Sequence, residues 1–350
     1  MRRHRCLLAV MVVGAIFMSA FSFPMSNTYL SEGRLLQYRG RARVSISLTD
    51  MMGYTELSER EEGLELRGRV PYLTETAGFV ADPINAQIEM AVDSKIAEAR
   101  EARARSITFS YQTFSSNNPE ITSIVIKSTA ASASSKTDVI SINFDSHSGA
   151  PLRAEDVVGT HVIQLADRLL METVRRNPQD FNPGFSGMRR GQAFSVTHDE
   201  IVFWFDEFQL RSGSGGVVRF PLRFNDILEY TITSDRFHTR PGFNFKMVPL
   251  RDVVEALGYD VDMDSEGRVM VFHNNELIIR LTPGENDYSR EGRGGRSSRS
   301  LESAPELIGD YTYVPISFFD QILNIVTFSI DDNGNITFAS YNVTDSWFRW

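Results

Sequence analysis

The sequence is nearly devoid of cysteine: Cys6 is the only one among 350 residues. A single thiol that precedes an apolar run allows no disulfide framework and no thiol chemistry in the rest of the chain. Histidine is also scarce, and the six histidines include no HxxxH or HxH pair of the kind that binds zinc. No Gly-x-Ser-x-Gly motif is present to hold a serine nucleophile. These absences predict a protein with no catalytic residues, no cofactor and no metal.

A short basic N-terminus leads into an apolar run. Arg2, Arg3 and Arg5 precede 18 apolar or small residues from Cys6 to Phe23. This pattern is typical of a secretory signal, and its length is also near the lower limit for crossing a bilayer. We therefore expect residues 1–23 to be a signal peptide or an uncleaved N-terminal anchor. In both cases the rest of the chain is extracytoplasmic, either secreted or anchored to the membrane or cell wall. Membrane contact is expected only through this segment.

The last third of the chain contains a near-repeat. One copy begins at Val248-Pro249-Leu250 and the other at Val314-Pro315-Ile316. The offset between the copies is 66 residues at their start and 67 at Asp264 and Asp331. Each copy predicts a short helix followed by two strands around a turn that contains Gly. Two such helix-plus-hairpin units form a scaffold and supply no chemistry.

Two motifs in this segment carry a family resemblance. The stretches Val248–Arg251 and Glu255–Gly258 read VPLR and EALG, and Ala304-Pro305 precedes the stretch Tyr311–Pro315, YTYVP. These motifs resemble the copper amine oxidase N-terminal-like domain, or stalk domain, of surface proteins from Gram-positive bacteria. The resemblance implies a stalk domain over residues 244–340. A copper site is not expected, because His273 is the segment's one histidine and copper favours clustered imidazole or sulfur ligands.

Between the two copies lies a segment rich in Gly, Ser and charge, residues 283–303. Such a composition lacks apolar anchors, so we expect a disordered insertion in the stalk domain. In the alternative interpretation it is a flexible cationic arm that meets wall phosphates or carboxylates through weak, salt-sensitive contacts. The candidate ligand contacts recur at every third position: Arg290, Arg293, Arg296 and Arg299.

The middle of the chain, residues 75–230, has the pattern of an α+β domain. One apolar residue recurs at every fourth position from Ile84 to Ile96 and predicts a helix from Asp82 to about Arg103. A second helix is predicted over Ala154–Arg176. Strands are predicted at 106–114, 120–128, 138–144, 194–196, 201–205 and 217–222. An N-terminal strand segment within residues 30–74 is expected to complete or flank this domain.

Three stretches of this middle region carry a second resemblance: Ile142–Asp145 with Gly149 and Asp156–Val158, then Phe194–Phe205, then Gly216–Leu222. They resemble the extracellular domain of the RsiV family of anti-sigma factors, which also occurs beside the deacetylase domain of PdaC-type enzymes. The resemblance implies binding of an extracellular protein such as lysozyme. The family's GGAH signature is absent, and Ala130–Lys136 stands in its place. The five residues before the apolar run are too few for a sigma-binding domain, and the Asp/His motifs of deacetylases are absent.

Alternating carboxylates at Asp260, Asp262, Asp264 and Glu266 invite a calcium interpretation. An EF-hand loop needs Gly at its sixth position and Glu at its twelfth, where this chain has Ser265 and Val271. We therefore interpret the carboxylates as a solvated strand face that runs into a turn.

These observations predict an α+β fold with two domains, an RsiV-like domain over 75–230 and a duplicated helix-plus-hairpin stalk domain over 244–340. We expect a non-catalytic, exported binding or sensory protein of the cell envelope, which contacts a cell-wall polymer or an extracellular protein. The net charge of −9 argues against nucleic acid as a partner. Ligand contacts are expected in loops, at Ala130–Lys136, Arg211–Gly216 and Arg290–Arg299. Two alternatives stay open: a wall-active hydrolase or deacetylase with an unrecognised site, and a purely structural spacer.

Overall fold

Residues 48–117, 120–213, 216–239, 245–291, 296–323 and 326–342 are described by the computed structural model. The predicted signal peptide or anchor at 1–23, the first part of the strand segment at 30–74, and Arg293 lie outside these residues. Among the helices of the described ranges, none is both long and apolar enough to cross a membrane.

The first described part of the chain is a sheet with one long helix on one face. The strands are Met52–Glu61 (β1), Leu64–Leu73 (β2), Ser106–Asn117 (β3), Glu120–Ala131 (β4) and Ser135–Asp145 (β5). They lie in the order β1-β2-β3-β4-β5, and all neighbours are antiparallel except β2 and β3, which are parallel. Helix α1, Ala81–Glu101, runs between β2 and β3 in the chain and packs on this sheet.

The apolar stripe predicted for α1 is its buried face. Ile84 and Ile88 are buried in the core, while Met90 on the other side of the helix is 67% exposed. The helix begins at Ala81, one residue before the predicted start at Asp82. The hairpin of β1 and β2 contributes to the same core. In the part that the structure describes, the N-terminal strand segment therefore completes this sheet.

A second sheet lies on the other face of the first. It consists of Phe194–Val196 (β6), Glu200–Phe205 (β7) and Val218–Arg223 (β8), in the order β6-β7-β8. Successive side chains of a strand point to opposite faces. Accordingly, Phe203 and Phe205 pack against helix α2, Ala154–Arg176, while Trp204 packs toward Val125 of the first sheet. The continuous apolar run of β7 thus reflects burial on both faces.

Helix α2 has the predicted bounds but is interrupted at Gly159. This residue has φ 79° and ψ 156°, a conformation that glycine adopts far more readily than other residues. The first turn, before the break, is capped by the Asp156 side chain, which accepts a hydrogen bond from the Arg153 backbone N–H (2.9 Å). After the break, Val162 and Leu165 are buried in the core beneath the second sheet.

The C-terminal part contains one further helix and twelve strands within the described residues. In chain order its elements are β9 (Ile227–Ile232), β10 (His238–Thr239), β11 (Lys246–Pro249), α3 (Leu250–Ala256), β12 (Asp260–Met263), β13 (Val269–His273), β14 (Glu276–Leu281), β15 (Tyr288–Arg290), β16 (Ser297–Arg299), β17 (Glu306–Ile308), β18 (Tyr311–Pro315), a short π-helical segment (Phe319–Leu323), β19 (Thr327–Ile330) and β20 (Ile336–Tyr341). They form three sheets, β10-β11-β18-β17, β12-β13-β14-β15-β16 and β19-β20-β9. Short 3₁₀ turns lie at Leu48–Met51, Glu75–Val80, Pro178–Asp180, Phe224–Asp226 and Ser234–Arg236.

The near-repeat predicted from the sequence is present as two equivalent units. In the first, β11 leads into α3 and the hairpin β12-β13, and in the second, β18 leads into the π-helical segment and the hairpin β19-β20. The two leading strands pair with each other, with Val248 opposite Val314. Both valines are buried in one core with α3 and the π-helical segment.

The prediction of a disordered insertion over 283–303 is wrong for its described residues. They form the hairpin β15-β16, which extends the sheet of the first repeat unit through pairing of β15 with β14. Tyr288 is 1% exposed, stacks near Phe318 (centroids 5.7 Å apart), and donates its hydroxyl hydrogen to the Ser303 carbonyl oxygen (2.9 Å). Tyr288 and Leu301 are both buried in the same core and are the apolar anchors of this otherwise polar segment.

One sheet crosses the expected boundary between residues 230 and 244. Strand β9 pairs along its whole length with β20, from Ile232 opposite Ile336 to Ile227 opposite Tyr341. Tyr341 and Ala339 of β20 also belong to the core under α2. All described residues fall in one compact unit. The α+β class is therefore confirmed, whereas the division into two domains stays a prediction.

Candidate functional site

Of the four arginines predicted as ligand contacts, the three that the structure describes, Arg290, Arg296 and Arg299, are not gathered on one surface. A strand repeats every two residues, so a spacing of three places neighbours on opposite faces. Arg290 and Arg299 follow the face of Tyr288, while Arg296 donates from Nη2 to the Ser289 hydroxyl (2.7 Å) on the other side. Segment 283–303 also contains four carboxylates, which match the charge of its four arginines: Glu285, Asp287, Glu291 and Glu302. The sequence suggested a flexible cationic arm. The structure instead shows the hairpin β15-β16, in a segment whose positive and negative charges are equal in number.

The other two loops predicted to contact a ligand are Ala130–Lys136 and Arg211–Gly216. Ala130–Lys136 is a tight connection between β4 and β5, closed by pairing of Ala131 with Ser135. Lys136 is ion-paired with Asp138 (2.7 Å). The loop Arg211–Gly216 lies partly outside the described residues.

Asp264, one of the carboxylates considered for calcium, stabilises a turn through hydrogen bonds. Oδ1 of Asp264 accepts hydrogen bonds from the backbone N–H groups of Glu266 (3.0 Å) and Arg268 (2.9 Å). Its Oδ2 accepts from Arg268 Nε (2.7 Å). The bond from the Arg268 backbone is the main cause that lowers the pKa of Asp264 below its usual range. Both oxygens therefore serve the β12-β13 turn.

The described residues contain no set of side chains suited to bind a metal ion. They contain no group of three or more His, Cys, Asp or Glu side chains that could hold an ion. His273 stacks on Tyr259 with ring centroids 4.8 Å apart, and burial lowers the pKa of His273. Its imidazole thus packs as a ring against the core.

An exposed aromatic surface covers the outer face of sheet β10-β11-β18-β17. Tyr313 lies opposite Pro249, and Tyr311 lies opposite Ile308. Cross-strand partners share a face, so these four side chains are on one side, while Val314, the residue after Tyr313, faces the core. Pro249 is buried and Tyr313 is half-buried. Tyr311 is 51% exposed and Ile308 is 39% exposed. We call this set of four residues the tyrosine face.

A shallow pocket of about 280 Å³ opens on the tyrosine face and is lined by Arg236, Pro249, Tyr311 and Tyr313. Arg236 donates to the carboxylate of Asp252 and, more weakly, to the hydroxyl of Tyr230 (3.4 Å). The nearby Asp252 is the main cause that raises the pKa of Arg236. The pocket therefore combines two phenol rings with a guanidinium group that is fixed in place. It is smaller than the roughly 300–1,000 Å³ of sites that enclose a small molecule.

A buried histidine joins α2 to the last sheet. His161 is 6% exposed, and its Nε2 lies 2.5 Å from Oε1 of Glu229 on β9. Its Nδ1 lies 3.0 Å from the hydroxyl of Ser329 on β19, and its carbonyl oxygen accepts a bond from Thr327 (2.6 Å). The sequence places His161 on a helix but gives no signal for its partners, which are 68 and 168 residues away. The arrangement holds two elements together, and it also brings a hydroxyl, an imidazole and a carboxylate into one chain of contacts.

Comparison with known proteins identifies the C-terminal segment. The family model described as "Copper amine oxidase N-terminal domain" matches residues 244–337. This match confirms the resemblance that the two sequence motifs indicated for this part of the chain. The predicted resemblance of the middle region to the RsiV and PdaC families stays a prediction.

Two individual proteins are similar to parts of the chain. A protease inhibitor of Brevibacillus choshinensis is 31% identical over 86 residues, which are 25% of this chain and 25% of that protein. The chain thus matches about a quarter of that relative's length. The crystal structure of a DUF3298 family member from Bacteroides fragilis covers 50% of this chain and 90% of its own, with a TM-score of 0.32 and 12% identity.

Proposed function

We propose that this chain is an exported, non-catalytic binding protein of the cell envelope and that its tyrosine face contacts a cell-wall glycan. The observation that carries the proposal is the exposed Tyr311, which lines one pocket together with the half-buried Tyr313 and the Asp252-paired guanidinium of Arg236. The N-terminal apolar run and the match to a copper amine oxidase N-terminal domain support an extracytoplasmic location.

The chemistry of the surface favours an extended polymer. Aromatic faces bind the apolar faces of sugar rings, and phenol hydroxyls and Arg236 can pair with sugar oxygens. A shallow pocket contacts a short stretch of a chain without enclosing it, which suits a polymer that continues beyond the pocket at both ends. Most of the binding energy of such surfaces comes from a few aromatic and arginine residues.

The proposal is tested by co-sedimentation of the purified chain with insoluble peptidoglycan, with and without lysozyme, across a salt series. We expect retention by the wall alone and a loss of about tenfold or more in affinity for Tyr311→Ala. Tyr54→Ala is the matched control, because Tyr54 is 46% exposed on β1, away from this face. Only weak salt dependence is expected, since aromatic contacts dominate. Equal losses in both variants, or no retention at all, would overturn the proposal.

Retention only with lysozyme would instead indicate a protein ligand. The similarity to a protease inhibitor over a quarter of the chain makes a secreted protease a second protein to include. Release of the chain into the medium with a shortened mass would identify residues 1–23 as a cleaved signal, and retention in the membrane fraction would identify them as an anchor.

A serine hydrolase is the second candidate, because His161 lies within hydrogen-bond distance of the Ser329 hydroxyl through Nδ1 and of the Glu229 carboxylate through Nε2. In such a site the imidazole takes the hydroxyl proton and the carboxylate orients the ring. Labelling by a fluorophosphonate probe that disappears in Ser329→Ala would support it. Absence of labelling, with wall binding intact, would leave the cluster a purely structural contact.

A further inference from the structure

A second cluster, distant in sequence from the tyrosine face, surrounds Trp204. This residue on β7 is 1% exposed, and its indole N–H donates to the Ser195 hydroxyl (2.9 Å). Phe114 of the first sheet lies near it, with centroids 6.0 Å apart. The indole is therefore held rigidly between the two sheets.

Two cations approach this ring from different sheets. Lys127 Nζ on β4 lies 5.2 Å from the ring centroid, and the guanidinium carbon of Arg219 on β8 lies 4.9 Å from it. The register of β7 and β8 places Arg219 directly opposite Trp204. An indole face attracts each cation, but it does not remove the repulsion between the two charges.

Lys127 differs from the other lysines in its partners. Lys95 and Lys136 are paired with Asp138 (3.2 and 2.7 Å), and Lys246 donates to the Gly334 carbonyl oxygen (3.2 Å). Within the described residues, the Lys127 ammonium group has neither an ion pair nor a hydrogen bond. Burial, with a further contribution from the charge of Arg219, lowers the pKa of Lys127.

The neighbouring carboxylate does not compensate this charge. Glu200 lies 3.9 Å from Arg219, at the limit of an ion pair, and Arg219 is itself half exposed. Two cations and one loosely placed carboxylate leave a local excess of positive charge on a chain whose net charge is −9. A partly buried ammonium group without an acceptor is costly unless an anion binds there.

We propose that Lys127 and Arg219 form a binding site for one phosphate or carboxylate group beside Trp204. The site is independent of the tyrosine face, so it goes beyond the proposed function. An anion bound there supplies the oxygen acceptors that Lys127 lacks and offsets the repulsion between the two cations. The buried indole presents a fixed aromatic ring beside which both cations already lie.

The test is isothermal titration of the full chain with inorganic phosphate, with acetate, and with a glycerol phosphate polymer. We expect Lys127→Met to weaken binding by at least about tenfold, because the variant keeps an apolar stem but removes the charge. Lys136→Met removes the same charge from a paired lysine and should change the affinity by less than about twofold. A separate thermal unfolding scan should show Lys127→Met to be at least as stable as the unmodified chain.

Comparison of the three titrations distinguishes the possible sources of the anion. Tighter binding of the polymer than of inorganic phosphate assigns the site to a polymer-borne phosphate, equal binding assigns it to a free ion, and preference for acetate assigns it to carboxylates. Equal weakening by Lys127→Met and Lys136→Met would overturn the proposal, as would the absence of heat with all three ligands. The Tyr311→Ala variant should bind these anions normally, which keeps this result distinct from that for the tyrosine face.

Discussion

Asp264 and Asp331 make the same hydrogen bonds in the two repeat units. Oδ1 of Asp331 accepts from the backbone N–H groups of Asn333 (2.9 Å) and Asn335 (2.8 Å), two and four residues further on. Oδ1 of Asp264 accepts from the equivalent groups of Glu266 and Arg268. The residue four positions on also donates its side chain to Oδ2 in both units, from Arg268 in one and Asn335 in the other. The two turns thus make the same hydrogen bonds, with Arg268 as the side-chain donor in one and Asn335 in the other.

This pair predicts a pH dependence of stability. Hydrogen bonds hold the pKa values of Asp264 and Asp331 below their usual range, with the Arg268 backbone and the Asn335 side chain as the main causes. A group with a depressed folded-state pKa contributes stability that is fully present above its unfolded pKa of about 3.9 and is lost as pH falls through the folded pKa. We expect the unfolding midpoint of the unmodified chain to exceed that of the double variant Asp264→Asn/Asp331→Asn at pH 6, and the gap to narrow toward pH 3. Asp332→Asn, in the same turn, is the control and should show no gap. A difference in unfolding midpoint that stays constant from pH 6 to pH 3 would contradict a contribution from the ionised Asp264 and Asp331.

Burial of His161 predicts an asymmetry between two histidines. His161 and His147 each lie 2.5 Å from a glutamate, but the side chain of His161 is 7% exposed and that of His147 is 67% exposed. We expect His161→Ala to lower the free energy of unfolding by about 1–3 kcal/mol, since it leaves buried polar groups without partners. His147→Ala should stay within about 0.5 kcal/mol. Urea unfolding of both variants measures this difference, and similar losses would contradict it.

The backbone conformation and close packing at position 159 favour glycine over any larger residue. A Cβ atom at this position would lie 2.6 Å from Cε1 of His161, and the backbone has a positive φ of 79°. We expect Gly159→Ala to cost about 1–3 kcal/mol from backbone strain alone, plus the displacement of the imidazole. Gly191→Ala separates the two effects, because Gly191 also has positive φ but no atom within 4 Å of its Cβ position. If thermal unfolding shows equal losses for both, the contact with His161 contributes nothing.

The hydrogen bonds of Arg168 are expected to stabilise the contact between α2 and the second repeat unit. Its Nη1 donates to the carbonyl oxygens of Val326 (2.9 Å) and Asp320 (3.2 Å), and it also pairs with the Asp320 carboxylate. Arg168→Met removes the donors of two backbone carbonyls, and we expect a loss of about 1–3 kcal/mol in the free energy of unfolding. The control is Arg175→Met, because Arg175 is 63% exposed and forms a surface ion pair with Glu172. Chemical denaturation of both variants should give a loss for Arg168 alone.

Much of the secondary structure was predictable from periodicity. Helix α2 was predicted with its observed bounds, because its apolar positions repeat along one face and Pro178 follows its end. The break at Gly159 was not predicted, since a single glycine inside an apolar pattern carries no signal for its backbone angles. The hairpin β15-β16 is not predictable in the same way, because a mostly polar composition conceals its two buried anchors, Tyr288 and Leu301.

The candidate sites were less accessible to sequence reasoning. The stretch Tyr311–Pro315 alternates in a way that indicates a strand, but which face meets solvent depends on the pairing of β11 with β18. The approach of Lys127 to Trp204 and Arg219 depends on stacking of two sheets, because β4 lies far before β7 and β8 in the chain. Spacing within a motif cannot report such distances.

The pairing of β9 with β20 has a consequence for the order of folding. Ile232 and Ile336 are partners, so the sheet that covers α2 waits for a strand made about a hundred residues later. At synthesis rates of roughly 5–20 residues per second, that delay is on the order of ten seconds, during which the apolar side of α2 lacks part of its cover. Long-range pairing of this kind also slows folding once the chain is complete. We therefore expect the apolar side of α2 in the nascent chain to stay accessible to a chaperone until β20 has been made.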